Sequence, residues 1–200
     1  MFECRKCEGQ DFRFKRNYSP AQFLEGRLSS KIWIVGINPK KEKQLDERDV
    51  EKLSSYFDDM WKIHSYFDDF KKVSKTLFEM FGKENGVAHT DLVKCSSDDW
   101  YSIKNKDKKA VISNCKGYLE KQLIQYKPKL IICNGRPVCD EIIEIIPPEN
   151  HQFETCYKST IDGNVIHVVL SGFIGRIDDY SKRRLGYEIE RIMSVIGIIE

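Results

Sequence analysis

Residues 31–40 read KIWIVGINPK, an apolar run rich in β-branched residues that stops at Gly36-Ile37-Asn38-Pro39. A short apolar run that ends in glycine and proline is typical of a buried strand followed by a sharp turn. In an open parallel sheet, ligands bind beyond the carboxyl ends of the strands. Asn38 and Pro39 are therefore candidate functional residues, although both residue types are also common turn formers.

The rest of the chain repeats this pattern of an apolar run followed by a helical segment. Three further apolar runs predict strands at 87–94, 129–134 and 165–171. Apolar residues at helical spacing occupy 67–81, 111–123, 138–145 and 185–196. This alternation predicts an α/β fold, a three-layer α/β/α sandwich with a central, mostly parallel four-stranded sheet. The strand ends at Asn38, Asp91 to Cys95, Asn134 and Ser171 are then expected to meet at one edge of the sheet.

Composition limits the class of protein. The chain has 200 residues, of which 40% are hydrophobic and 32% are charged, so residues 1–200 are expected to close one globular domain. The formal net charge of +2 is too close to zero to indicate nucleic-acid or membrane binding by itself. The chain contains no run of about 18 apolar residues and no signal-peptide pattern, which predicts a cytoplasmic protein without a membrane segment.

Seven cysteines in a cytosolic protein favour metal ligands or buried thiols over disulfides. Cys4 and Cys7 form the only close pair with ligand spacing. One such pair is a weak signal, because a zinc or iron-sulfur site needs two more soft ligands. Cys133 lies inside a predicted strand and Cys139 inside a predicted helix, so both are interpreted as core residues.

Four of the cysteines stand in three motifs: Cys4-x-x-Cys7, TDLVKC at 90–95, and Cys115 followed by KGYLEKQLIQYKPKLIICNGR. Together these motifs resemble the iron-sulfur branch, family 4, of the uracil-DNA glycosylase superfamily. The resemblance implies a structural [4Fe-4S] cluster that pins residues 1–30 to the second strand and a helix. Its ligands would be Cys4, Cys7, Cys95 and Cys115. A four-cysteine zinc site is the alternative.

The same resemblance implies a catalytic role for the turn after the first strand. Gly36-x-Asn38-Pro39 resembles the mismatch-specific branch, whereas family 4 usually has Gly-Glu-Ala/Gly-Pro-Gly, so Ile37 replaces its glutamate and Lys40 its second glycine. An amide cannot act as a general base at neutral pH, so Asn38 is expected to orient the attacking water. Gly36, Ile37 and Pro39 would contact the substrate.

The resemblance also indicates how a flipped base would be held. Asp91 stands where the family has a uracil-reading asparagine, and a carboxylate accepts hydrogen bonds but does not donate them. The stacking ring is assigned to Phe57, with Tyr56 and Phe67 as alternatives. At the fourth strand end the family pattern is His-Pro-Ser or Asn-Pro-Ser, of which only Ser171 remains. His167, on an apolar strand, is interpreted as a core residue and not as a substitute.

A DNA-binding surface is expected after the fourth strand. Phe173 and Ile174 are candidates for an apolar wedge that enters the base stack. The phosphate contacts are assigned to Arg176, Lys182, Arg183 and Arg184. The alternative is that these charged residues simply form the solvent-exposed face of a helix and do not contact DNA.

The resemblance leads to three functional hypotheses. The first is a monomeric glycosylase that hydrolyses the N-glycosidic bond of uracil or another deaminated base in single-stranded or mismatched DNA. The second is a catalytically inactive nucleic-acid-binding or damage-sensing module, and the third is a nucleoside- or nucleotide-acting enzyme. The missing histidine motif and Asp91 favour the second and third, whereas the Gly-x-Asn-Pro turn favours the first.

Overall fold

The computed structural model describes Cys4, Lys6, Cys7 and residues 24–39, 65–95, 100–149 and 155–200. Five strands form its sheet: β1 (Ile32–Gly36), β2 (Val87–Asp91), β3 (Leu130–Asn134), β4 (Cys156–Ile161) and β5 (Asn164–Ser171). A short 3-10 helix at Ser65–Phe67 precedes five helices: α1 (Asp68–Val73), α2 (Lys75–Glu79), α3 (Asn105–Tyr126), α4 (Arg136–Ile145) and α5 (Asp179–Val195).

The strands form one sheet in the order β2-β1-β3-β5-β4. β1 pairs in parallel with β2 and β3, and β3 pairs in parallel with β5. Helices lie on both faces of this sheet, as the alternating sequence pattern predicts. The predicted α/β/α sandwich with a mostly parallel central sheet is confirmed.

The sheet contains one strand more than the four that were predicted. β4 runs antiparallel to β5 from Cys156 opposite Val169 to Ile161 opposite Asn164. The turn between them is Asp162-Gly163, and both residues have positive φ, at 48° and 71°. Two consecutive positive φ values and an Asp-Gly sequence are typical of a tight β-hairpin. Polar residues in β4 interrupt its apolar pattern, which is why the run was not recognised as a strand.

Alternation of side chains divides the core between the two faces of the sheet. On one face, Ile34 and Ile132 pack with residues of α1, α2 and α5 such as Phe70 and Ile189. On the other face, residues of α3 and α4 pack against a second set of strand side chains; that set includes Trp33, Val35, Ile131 and Val168. Both sets contain fully buried aliphatic residues, so the two layers of helices hold the sheet from opposite sides.

The predicted helix at 67–81 is interrupted at Ser74. Ser74 adopts an extended conformation (φ −154°, ψ 125°), and its side chain accepts a hydrogen bond from Leu77 N at 2.9 Å. It therefore caps α2 immediately after α1 ends. The Ser74 hydroxyl also donates to Glu190 of α5. This link between helices is not visible in the apolar periodicity of 67–81.

The remaining helices begin and end with recognisable signals. Asp178 caps α5 by accepting hydrogen bonds from Tyr180 N and Ser181 N at 2.8 and 3.0 Å. Lys127, in the left-handed conformation, ends α3 immediately before Pro128. Among the helices that the structure describes, none is long and apolar enough to cross a bilayer.

Gly186 is expected to be essential for the packing of α5 on α1. A Cβ atom at this position would overlap the carbonyl oxygen and carbon of Val73, which belong to the backbone and cannot rotate away. We expect Gly186→Ala to lower the free energy of unfolding by about 1–3 kcal/mol or more, because over-packing forces the helices apart. Chemical denaturation monitored by circular dichroism measures this change.

Gly117, within α3, provides a matched control because a Cβ there would meet no atom within 4 Å. Gly117→Ala is expected to stabilise the protein by about 0.5–1 kcal/mol through helix propensity. Equal stability of the two variants would contradict the proposed close packing at Gly186.

Candidate functional site

Four strands end at the same edge of the sheet and direct side chains to the same face. Gly36 pairs with Asp91, and Asn134 pairs with Ser171. Residues paired across parallel strands share a face, and this is the face that α1, α2 and α5 cover. The structure therefore brings together the strand ends that the sequence predicted to meet at one edge.

Asp91 lies over the backbone of Gly36. A Cβ atom at residue 36 would overlap Asp91 Oδ1, so the carboxylate occupies the space that any side chain at position 36 would need. Asp91 is only 2% exposed, and no described residue donates a hydrogen bond to its Oδ2. Most buried polar side-chain atoms have a hydrogen-bond partner, so Oδ2 stands out among the described atoms of this edge.

His89 and Glu25 form a buried pair beside Asp91. His89 Nδ1 lies 2.5 Å from Glu25 Oε2, and the backbones of the two residues exchange hydrogen bonds at 2.7 and 2.8 Å. His89 Nε2 lies 3.9 Å from Asp91 Oδ1. The segment containing Glu25 thus covers the outer edge of β2 and fixes the orientation of the imidazole ring.

Tyr66 connects this pair to the end of β3. Its hydroxyl lies 3.3 Å from His89 Nε2 and accepts a hydrogen bond from Asn134 Nδ2. Asn134 Oδ1 accepts from the backbone N–H of Ile174 at 2.8 Å. The half-buried Tyr66 ring lies between His89 and Phe173, with centroid distances of 5.3 and 6.5 Å. Asn134 therefore holds both Tyr66 and the loop after β5 at this edge.

The Gly36–Pro39 turn continues the first strand past the sheet. Gly36 O and Ile37 O accept hydrogen bonds from Leu92 N and Val93 N, each at 2.9 Å, so the turn stays fixed to the segment after β2. Asn38 is half-buried, and its Nδ2 donates to Pro39 O at 3.2 Å. The predicted stacking residues Phe57 and Tyr56 lie outside the described residues, whereas Phe67 is buried in the core against Phe70 and Phe81.

The end of β5 contains no side chain comparable to a catalytic histidine. The Ser171 hydroxyl donates to Gly172 O at 3.0 Å, and Ser171 O accepts from Gly135 N at 3.1 Å. His167 pairs with Leu130 at the start of β3, four residues before the carboxyl edge, and burial lowers its pKa. Cys133 and Cys139 are both buried among core residues, as predicted.

Burial and neighbouring charges together determine the ionisation of this edge. It raises the pKa of Asp91 to about 7; the neighbouring Glu25 adds to this rise, while His89 and Lys94 oppose it. Burial lowers the pKa of His89, but the charges of Asp91 and Glu25 outweigh that effect and the pKa is raised. Burial and the charge of Asp91 raise the pKa of Tyr66, so its phenol stays protonated.

The structure separates the residues that were predicted to contact DNA. Ile174 is fully buried in the core, and in this conformation it is not available as a wedge. Lys182 is also buried and pairs with Asp69 at 2.8 Å, so its charge is already neutralised. Phe173 is half-buried next to Tyr66.

Three exposed arginines remain available on this side of the molecule. The guanidinium of Arg176 lies 4.7 Å from the centre of the exposed Tyr101 ring, and that of Arg183 lies 5.3 Å from the Tyr180 ring. Arg184 is exposed on α5. These side chains keep their charge at the surface, as a phosphate contact requires.

On the opposite face of β2, the four cysteines of the sequence motifs are neighbours. Hydrogen bonding with Cys115 is the main cause that raises the pKa of Cys95, and the charges of Cys4 and Cys7 act in the same direction. The same hydrogen bond lowers the pKa of Cys115. These four side chains come from three distant segments, and thiolates are the ligand type that an iron-sulfur cluster or a zinc ion takes.

Polar contacts fix the N-terminal cysteines to α3. Asn114 Nδ2 lies 3.2 Å from Cys7 Sγ and donates to Lys6 O at 2.9 Å, and the Tyr118 hydroxyl lies 3.6 Å from Cys4 Sγ. Burial raises the pKa of Cys7, and the contact with Asn114 opposes this rise. No group of three or more His, Cys, Asp or Glu side chains within the described ranges is arranged around a single metal ion.

Sequence reasoning missed three residues of the edge: Glu25, His89 and Tyr66. Glu25 lies in a polar, irregular segment whose pairing with β2 has no local pattern. His89 lies within an apolar strand, where a histidine is usually a core residue. Tyr66 belongs to SYFDD at 65–69, a repeat of SYFDD at 55–59, and this duplication is the one signal that could have identified it.

Comparison with known proteins is consistent with this geometry. No curated protein matches the chain. The family model described as the uracil DNA glycosylase superfamily matches residues 23–171, which include all five strands and the four strand ends of the site. The chain therefore belongs to the uracil DNA glycosylase superfamily.

Proposed function

We propose that the protein is a DNA base-excision enzyme that hydrolyses the N-glycosidic bond of uracil or a related deaminated base. The observation that supports this most directly is the convergence of Gly36, Asp91, Asn134 and Ser171 on one face of the carboxyl edge. The superfamily acts on DNA, and the edge supplies the polar groups and the aromatic ring that a flipped base requires. Single-stranded or mismatched DNA is the proposed substrate and a monomer the proposed form.

Asn38 is the residue proposed to hold the attacking water. It follows Gly36 by two positions and is half-buried beside the strand end. Its Nδ2 donates to Pro39 O, which fixes the plane of the amide. The Oδ1 atom of this amide is an acceptor that can hold a water proton, but it cannot remove the proton.

Tyr66 is proposed as part of the wall of the base pocket. Its ring lies at the edge beside Phe173, and Asn134 and His89 hold its hydroxyl in place. An aromatic ring fixed in this way presents a stacking surface at low entropic cost. Ser171, Gly36, Pro39 and Asp91 complete the proposed substrate contacts, whereas the predicted contact Ile37 packs its side chain against the cluster around Cys7 and Cys115. Arg176, Arg183 and Arg184 are the proposed phosphate contacts.

Cys4, Cys7, Cys95 and Cys115 are proposed to hold a structural [4Fe-4S] cluster, with zinc as the alternative. The residues around these sulfurs support a structural role. Cys7 and Cys115 are buried with Val93, Trp100 and Val111 in a small apolar cluster of their own. A metal site there would tie the N-terminal segment to α3 and to the segment after β2.

A non-catalytic DNA-binding module is the second candidate. The observation that favours it is the end of β5, where the sequence lacks the family histidine and the Ser171 hydroxyl donates to Gly172 O. The two candidates differ in a single-turnover assay, because a binding module retains uracil-containing DNA but releases no base.

Asn38→Ala is expected to slow base release by about 100-fold or more, because it removes a group that stabilises the water in the transition state. The single-turnover rate of base release is measured with anaerobically purified protein in excess over oligonucleotides that carry uracil, hypoxanthine or xanthine. Asn164→Ala is the matched control, since Asn164 contacts Pro128 O at the opposite edge of the sheet. Absence of release by the native protein from every substrate would rule out the enzyme.

Cys115→Ser is expected to reduce the bound metal and to lower Tm, because a cluster or zinc ion loses one of its ligands. Metal analysis of the purified protein distinguishes iron from zinc, and visible absorption reports an iron-sulfur cluster. Cys156→Ser, in β4, is the control that leaves the cysteine group intact. Unchanged metal content in Cys115→Ser would contradict the ligand assignment.

A further inference from the structure

We propose that Asp91 is the general base of this reaction and accepts a proton from the water that attacks C1′ of the deoxyribose. The inference rests on the proposed function and adds a catalytic residue to it. It assigns the proton transfer to a carboxylate on β2, whereas Asn38 in the first-strand turn only holds the water.

The position of the Asp91 carboxylate supports this role. Oδ1 lies over the backbone of Gly36, where the turn that carries Asn38 begins. Asn38 follows two residues after Gly36, so Asn38 and Asp91 both belong to the carboxyl ends of β1 and β2, whose register is fixed by the pairing of Gly36 with Asp91. Oδ2 is buried, and no described residue donates to it; a water or the substrate is the donor that we propose for it.

The other polar groups of the edge are less suitable as bases. An amide such as that of Asn38 is not basic at neutral pH. His89 is engaged at both nitrogens, with Glu25 at Nδ1 and the Tyr66 hydroxyl at Nε2. Tyr66 is a neutral phenol, since burial raises its pKa. Asp91 Oδ2 is the acceptor that these contacts leave open.

The surrounding charges suit a base that works near neutral pH. The titratable groups that act on Asp91 are His89 on β2, Glu25 on the segment beside it, Tyr66 and Lys94. Burial, aided by Glu25, raises the Asp91 pKa to about 7, where a general base is most effective. Only the deprotonated carboxylate of Asp91 can accept a proton, so the rate of base release should increase as pH rises through about 7.

The proposed step is balanced in atoms and charge. The bond between C1′ and the base nitrogen breaks, and its electron pair leaves with the base. The water oxygen forms a bond to C1′, and one water proton passes to Asp91 Oδ2. Solvent protonates the released base anion, and Asp91 returns its proton to solvent before the next turnover.

Asp91 could instead recognise the flipped nucleobase, and this role predicts the opposite effect for Asp91→Asn. An amide offers both a donor and an acceptor, which match the O4 and N3–H groups of uracil. If Asp91 only reads the base, Asp91→Asn should retain or increase the rate of release. If Asp91 is the general base, the same substitution removes the proton acceptor and slows the release of the base.

The test is a single-turnover pH profile of native protein and Asp91→Asn, from about pH 5.5 to 9, on uracil-containing DNA. We expect the native rate to rise with pH and level off above about 7. At pH 8 the Asn variant should be slower by about 100-fold or more, with no such inflection. Its affinity for the same DNA should remain within a few-fold of the native value.

The thermal stability of Asp91→Asn and a matched control variant show whether a slower rate comes from misfolding or from the loss of any carboxylate. A raised carboxyl pKa adds stability below the unfolded pKa, and that stability is lost as pH rises through about 7. The neutral variant should therefore have an equal or higher Tm at pH 8. Asp162→Asn, in the β4–β5 turn, should leave the pH profile unchanged.

The two proposals fail in different ways. Absence of base release by the native protein would overturn the enzymatic function and the role of Asp91 together. Release by the native protein with an equally active Asp91→Asn variant would overturn only the assignment of Asp91 and support its base-reading role. A native rate that does not change between pH 6 and 8 would also contradict the assignment.

Discussion

Polar side chains buried at the carboxyl edge of a parallel sheet must find hydrogen-bond partners there, and the site depends on this constraint. At one end of the network, Glu25 is hydrogen-bonded to His89. At the other end, Asn134 is hydrogen-bonded to the Tyr66 hydroxyl and to the backbone N–H of Ile174. Removing one member of a buried ion pair typically costs about 3–5 kcal/mol. The network is therefore a rigid support, and the open oxygen of Asp91 is the exception within it.

The side chains of the last residues of β2 point alternately to the two faces of the sheet. His89 and Asp91 point to the face that carries the candidate site, whereas Thr90 points to the other face and accepts a hydrogen bond from the buried Lys94 at 2.7 Å. Cys95 follows directly and belongs to the cysteine group. One short segment thus joins the proposed chemistry to the proposed metal site, and its backbone is hydrogen-bonded to Gly36 and Ile37.

Local patterns in the sequence predict most of the framework. The apolar runs at 31–40, 87–94, 129–134 and 165–171 each contain a strand of the parallel sheet, and the meeting of their polar ends follows from parallel topology. The hairpin strand β4 and the break at Ser74 were missed. An Asp-Gly turn and a serine cap are short signals that apolar periodicity does not detect.

The site was predicted less completely than the fold, because its contacts join segments that are distant in sequence. Asn134 was placed at the edge by its strand, but its contact with Tyr66 depends on how the 3-10 helix at 65–67 packs. Glu25 reaches His89 across 64 positions. The burial of Ile174 and Lys182 depends on the position of α5, which their own sequence neighbourhood does not specify.

Gly36 has a consequence for the evolution of the site. Its missing side chain makes room for the Asp91 carboxylate, so the two positions are not free to vary independently. A lineage that gains even a methyl group at position 36 must replace or displace the acid at position 91. Among relatives that keep this strand register, a carboxylate at the second position is expected only where the first position is glycine, whereas glycine at the first position leaves the second free to vary.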